Sequence, residues 1–162
     1  MANERIYSLD TSFFMDWQAR YYPQDVFASL ERVIEEMIAA NGCGAVELVR
    51  EEIDAVGTPG LRAWAKSHSG LFVAMTPDIQ IEGAAIEANY PDLMDPKAAY
   101  ESADAYVIAL AKLNGGIVVS QETSALEKRK PPKDYYIPDV CRDLGVSCIN
   151  LLGLMRRKNW VF

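Results

Sequence analysis

Ile6-Tyr7-Ser8-Leu9-Asp10-Thr11-Ser12 is a short apolar run that stops on an acid, and two later stretches of the chain place an acid in comparable company. In Val118-Val119-Ser120-Gln121-Glu122 the acid follows a second apolar run, and in Ser102-Ala103-Asp104-Ala105 it opens a helix. Carboxylates beside buried strands are costly unless positive charge lies between them. In open parallel α/β sheets the carboxyl ends of the strands converge on one crevice, where acids from distant stretches meet and hold a divalent cation. The pattern predicts a metal-dependent enzyme built on Asp10, Asp104 and Glu122.

Working outward from Ile6–Leu9 as the first strand, the chain passes a loop at Arg20-Tyr21-Tyr22-Pro23. Asp25–Ala40 carries Val26, Leu30, Val33, Ile34, Met37 and Ile38 at helical spacing and ends at Asn41-Gly42. Ala45–Ala55 reads as a helix with Val46, Val49 and Ile53 as its stripe, and Leu61–Lys66 as a short helix anchored by Leu61 and Trp64. Leu71–Met75 is extended, Thr76-Pro77 opens a helix to about Tyr90, and Pro91–Tyr100 is a loop or short helical turn. Ser102 caps a helix Ala103–Leu113 with Tyr106, Val107, Leu110 and Leu113 inward. Asn114-Gly115-Gly116 stops it, and Ile117–Ser120 is a buried strand. A helix Pro138–Leu144, a strand Val146–Ile149 and a terminal helix around Leu151–Arg157 complete the chain. Strands alternating with helices predict an α/β fold with a mainly parallel central sheet in three α/β/α layers.

At 162 residues the chain is expected to form a single domain, 1–162. Its 50% hydrophobic and 24% charged composition is globular. No apolar run approaches the ~18 residues of a membrane span, and Met1-Ala2-Asn3-Glu4-Arg5 leads into a strand rather than a signal sequence, so a cytoplasmic location is expected. Three cysteines without a Cys-x-x-Cys pair argue for free thiols. The single histidine, His68, leaves little for a histidine cage or a Ser-His-Asp triad. A net charge of −7 disfavours unaided nucleic-acid binding. Two basic clusters partly answer it, Lys128-Arg129-Lys130-Pro131-Pro132-Lys133 and Arg156-Arg157-Lys158, although such runs are more often solvated faces.

The recurring order of strand, acid and small hydroxyl resembles the PIN-domain ribonucleases, the fold of VapC-type toxins. Leu9-Asp10-Thr11-Ser12 matches the first strand of that family, and Glu52 in Val49-Arg50-Glu51-Glu52-Ile53 its acid before an aliphatic residue. Ala103-Asp104-Ala105 matches the Ala-Asp pair that opens a helix, and Ser120-Gln121-Glu122 the last strand. The match spans almost the whole chain and is nearest to a small bacterial branch, with Arg20-Tyr21-Tyr22-Pro23-Gln24-Asp25-Val26-Phe27, Ala63-Trp64-Ala65-Lys66 and Ile137-Pro138-Asp139-Val140-Cys141 as shared stretches. Ser12 stands where many members carry Asn, and Glu122 where Asp is commoner.

The resemblance implies a single PIN-like domain and an endoribonuclease, the toxin of a toxin–antitoxin pair. It implies Asp10, Glu52, Asp104 and Glu122 as catalytic metal ligands for Mg²⁺ or Mn²⁺, with Thr11, Ser12 and Ser120 orienting them. The implied partners are an RNA substrate and an antitoxin protein, with a homodimer also open. Four neighbouring carboxylates would repel one another and raise their pKa values unless such an ion neutralised them. Bland readings stand beside these. Asp10 would serve as a strand-end turn former, Asp104 as a favourable charge at a helix N-terminus, and Glu122 as a cap. Glu52 competes with Glu47 and Glu51, Asp139 reads as structural, and Tyr21, Tyr22 and Trp64 as packing residues or base-stacking platforms. Two further readings remain: a PIN-like binding module without catalysis, and a haloacid-dehalogenase-type phosphatase, against which Ser12 occupies the place of that family's second Asp.

Overall fold

Tyr7–Leu9 (β1), Cys43–Val46 (β2), Phe72–Val73 (β3), Ile117–Val119 (β4) and Ser147–Ile149 (β5) form one five-stranded sheet in the order β3-β2-β1-β4-β5. Every pair is parallel. Tyr7 faces Cys43 on one side and Ile117 on the other, Val46 lies beside Val73, and Val118 beside Cys148. The computed structural model describes residues 5–162, so the reading of the chain start falls, Arg5 apart, outside the described residues. All residues of β1, β2 and β4 are buried whichever face they point to, which requires helices on both sides of the sheet.

Those layers are supplied by Thr11–Phe14 (α1), Ala28–Ala39 (α2), Glu47–Val56 (α3), Pro59–Ser67 (α4), Pro77–Asn89 (α5), Asp104–Asn114 (α6), Ile137–Leu144 (α7) and Leu151–Arg157 (α8). Local signals set most of their ends. Thr58 and Thr76 accept hydrogen bonds from the N–H groups of Leu61 and Ile79 at 3.1 and 3.4 Å, each just ahead of a proline in the first turn. Gly115 takes a left-handed φ of 62° to end α6. Residues Ala105 to Ala111 of α6 are all buried, and Ser8 in β1 satisfies its own burial by donating to the carbonyl of Val107 at 2.7 Å. Gly83 lets α5 approach α6 closely, since a Cβ there would lie 2.2 Å from Cδ1 of Tyr106.

The largest core side chains are Phe13, Phe14 and Trp17, joined by Trp64 from α4. Trp17 and Trp64 meet edge to face with centroids 5.1 Å apart. His68 stacks on Trp64 at 4.1 Å and its Nε2 lies 2.8 Å from Glu35 Oε2, so the single histidine belongs to a helix-packing contact. Cys43, Cys141 and Cys148 are free thiols, and burial pushes Cys43 up to about 12.

The architecture agrees with the expected α/β/α arrangement, while several local expectations are corrected. The segment expected as a helix from Ala45 begins as strand β2, and the helix starts at Glu47. A four-residue run such as Cys-Gly-Ala-Val carries no usable period, and pairing with β1 and β3 decides its state. The loop expected at Arg20-Tyr21 is helical: α1 continues as a π-helix over Met15–Tyr21, and Tyr22, disfavoured as helix by the following Pro23, ends it. Val26 lies ahead of α2 in a turn closed by Phe27 N–H on the Pro23 carbonyl at 2.8 Å, and is 68% exposed. Leu113, expected inward, is exposed in the last turn of α6. Among the described residues, no helix is long and apolar enough to cross a membrane.

Candidate functional site

The sheet order changes direction at β1. From there the chain adds β2 and β3 on one side, then returns to place β4 and β5 on the other. A crevice is expected outside the carboxyl ends of the two strands that flank such a switch. Asp10 follows β1 directly, and Ser120, Gln121 and Glu122 follow β4. Because α6 leads into β4 through only two residues, its N-terminus with Asp104 lies at the same edge, while α3 leaves β2 and carries Glu52 in its second turn. A cleft of about 240 Å³ is lined by all four acids together with Thr11, Ser12, Tyr100, Arg20 and Lys133. The structure thus brings together Asp10, Glu52, Asp104 and Glu122 from four separate stretches of the chain.

Hydroxyl groups organise the acids. Asp10 is buried, and its Oδ2 accepts from Ser12 at 2.6 Å and from Ser120 at 3.0 Å. The same two serines accept from the N–H groups of Gln121 and Glu122 at 2.9 and 3.1 Å, so the loop after β4 is tied to the turn after β1. Glu52 Oε2 accepts from Thr11 Oγ1 at 2.6 Å and Oε1 from the Ala103 N–H at 2.6 Å, at the head of α6. Its rivals are elsewhere engaged: Glu51 is exposed, and Glu47 pairs with Arg50. Glu122 Oε2 accepts from the Ile137 N–H at 3.0 Å, at the head of α7. One oxygen of Glu122 and both of Asp104 accept no hydrogen bond from the described residues.

Each of the four carboxyls is raised above its ordinary range, with burial as the largest cause. Asp104 stands well above it, pushed further by the charges of Asp10, Glu122 and Glu52 and relieved in part by Lys133. Glu122 is pushed up to about 7 by burial and by Asp10, against the Ile137 N–H and the charges of Lys133 and Lys128. In Asp10 the serine hydroxyls oppose burial, and in Glu52 Thr11 and the Ala103 N–H do so. Such a set takes up protons or a cation. Oxygen-only donors of this kind suit a hard divalent ion. Among the described residues, however, no three Asp, Glu, His or Cys side chains are already drawn together as a ligand set.

The sequence carried no sign of Asp16, Arg20 and Gln121 at the site, and it offered Lys133 only as part of a basic loop. Asp16 is a buried acid paired with Arg20, and Gln121 Nε2 donates to it at 3.2 Å. Lys133 comes from the expected basic loop, which folds so that Lys128 and Lys133 lie 4.4 and 4.8 Å from the centre of the Tyr136 ring. The other basic cluster is exposed at the end of α8. Asp139 accepts from the N–H groups of Tyr136 and Ala125, both at 2.9 Å, a capping role away from the cleft. Trp64 packs in the core, Tyr22 packs against it and lies edge-on to Phe27, and Tyr21 is exposed.

None of the curated proteins compared with the chain matches it. Residues 7–162 match the family described as a domain of unknown function (DUF4411), nearly the full length and including every residue of the cleft named above. The chain belongs to the DUF4411 family.

Proposed function

We propose that the protein is a PIN-like endoribonuclease dependent on Mg²⁺ or Mn²⁺, acting as the toxin of a toxin–antitoxin pair. The observation that carries this reading is the meeting of four carboxylates from four stretches of chain in one cleft at the switch point of the sheet. Asp10, Asp104 and Glu122 would hold the ion, with Glu52 beside them. When bound, a divalent ion polarises a phosphodiester and lowers the pKa of an attacking water. The chain's own part is positional. Ser12 and Ser120 fix the Asp10 carboxylate, Thr11 fixes Glu52, and Lys133 places positive charge at a cleft that must admit a polyanion. His68 is engaged with Glu35 and Trp64, in keeping with chemistry that needs no histidine base. The antitoxin follows from the family resemblance.

The test is cleavage of RNA by the purified chain with Mn²⁺, compared with Asp10→Asn and Asp104→Asn. Each substitution should lower the rate at least about 100-fold. Equal cutting by the variants, or no cutting by the native chain freed of any antitoxin, rejects the reading.

A binding module without turnover is the second reading, and a specific observation favours it. Both oxygens of Glu52 and one of Glu122 are already committed to hydrogen bonds, mostly at helix heads. RNA binding without strand cleavage in the presence of Mn²⁺ would select it.

A further inference from the structure

Arg20 lines the acid cleft, yet it is ion-paired with none of the four acids there among the described residues. Its Nη1 lies 3.1 Å from Oδ1 of Asp16, one turn earlier in the π-helical segment. The Asp16 side chain is only 10% exposed, against 56% for Arg20, so the pair consists of a nearly buried anchor and an accessible cation. The other oxygen of Asp16 accepts from Gln121 Nε2 at 3.2 Å, and Gln121 Oε1 accepts from the Leu151 N–H at 2.6 Å. Gln121 also donates its own N–H to Ser12, which holds Asp10. A continuous set of hydrogen bonds therefore ties the guanidinium to the same loop that positions the acids.

An arginine present only to neutralise the acids would pair with one of them. Here relief of Asp104 and Glu122 comes from Lys133 instead. A guanidinium has five donor hydrogens in a rigid fork matched to phosphate, and its contact with Asp16 engages one of its two terminal nitrogens. π-helical turns of this kind also recur at functional sites. We propose that Arg20 binds a non-bridging phosphate oxygen of an RNA strand lying in the cleft, with Asp16 and Gln121 as positioning residues. The choice of RNA rests on the endoribonuclease reading above, whereas the anion-binding role rests on the geometry of Arg20 itself.

The experiment is fluorescence anisotropy with a fluorescein-labelled single-stranded RNA. It uses the full chain carrying Asp104→Asn, which leaves the strand intact and removes a carboxylate whose charge the fold disfavours. Adding Arg20→Ala should weaken binding about 10- to 100-fold, as expected for loss of a charge-assisted hydrogen bond. Arg20→Lys, which keeps the charge and loses the fork, should fall between, and Asp16→Asn should weaken binding about 3- to 10-fold. Circular dichroism checks the fold of each variant, and Arg20→Lys carries the test if the alanine variant unfolds. Mn²⁺ affinity of the otherwise native chain, read by electron paramagnetic resonance, should change less than about 3-fold on Arg20→Ala. Unchanged RNA affinity in the Arg20 variants, no RNA binding at all, or a tenfold or greater gain in Mn²⁺ affinity overturns the proposal. Arg20-dependent binding of RNA that the native chain fails to cut with Mn²⁺ supports it and rejects the nuclease reading alone.

Discussion

The hydroxyls of Ser12 and Ser120, which lie 108 residues apart in the chain, are 3.3 Å from each other and donate to the same oxygen of Asp10. They join the carboxyl ends of β1 and β4 at the atom around which the cleft is built. Both hydrogen bonds favour the ionised form of Asp10 against the burial that opposes it. Ser120→Ala is therefore expected to raise the Asp10 pKa further. In an NMR titration of the metal-free protein, the Asp10 carboxyl should titrate at higher pH in the variant than in the native chain. An unchanged Asp10 titration would show that Ser120 does not govern Asp10.

Glu52 has a structural duty that can be separated from a chemical one. Its Oε1 satisfies the Ala103 N–H, which is buried at the start of α6. Glu52→Ala strands that donor and should cost about 1–3 kcal/mol in urea denaturation. Glu52→Gln keeps a side-chain acceptor for the N–H and should cost markedly less, yet under the proposed endoribonuclease reading RNA cleavage should fall in both. Equal stability losses would place the effect in the carboxylate charge or its contact with Thr11 rather than in an acceptor for the Ala103 N–H.

The acids also set the pH dependence of stability. Glu122 is raised from 4.5 to about 7, so its favourable contribution is fully present below 4.5 and is lost as pH rises through 7. Without metal, the protein should lose thermal stability across that window relative to Glu122→Gln, in which the group no longer titrates. Adding Mn²⁺ at pH 8 should raise the melting temperature of the native chain, because a bound cation favours the ionised acids. Parallel melting curves for native and variant protein across the window would contradict this account.

At Gly83 the limit is steric. A Cβ would stand 2.2 Å from Cδ1 and 2.4 Å from Cε1 of the buried Tyr106 ring, which is held between α5 and α6. Alanine brings about 1 kcal/mol of helix propensity, but overpacking typically costs about 1–3 kcal/mol. Gly83→Ala should therefore lower the urea midpoint with an unchanged m value. Neither Gly83 nor Tyr106 lines the cleft, so under the proposed endoribonuclease reading cleavage at low denaturant should be unaffected. A raised midpoint would mean that the two helices separate easily.

Local preferences along the chain were enough for the helix and strand alternation, for the caps at Thr76 and Gly115 and for the acids that follow apolar runs. Those features depend on neighbours within one or two turns, so the sequence by itself determined them. It did not reveal β2, because Cys43–Val46 is too short for a period and becomes a strand only between β1 and β3. Nor did it reveal the π-helical Met15–Tyr21, whose Trp17 is buried against Trp64 while Tyr21 is exposed. Glu47, Glu51 and Glu52 are nearly equivalent on paper. Only the direction of α3 beneath the cleft buries Glu52 against Thr11 and Ala103 while leaving Glu51 in solvent. Arg20 and Lys133 join the acids, and Gln121 supports Asp16 beside them, for a similar reason: these placements depend on strand order and on contacts across a hundred residues, which no local pattern of residues encodes.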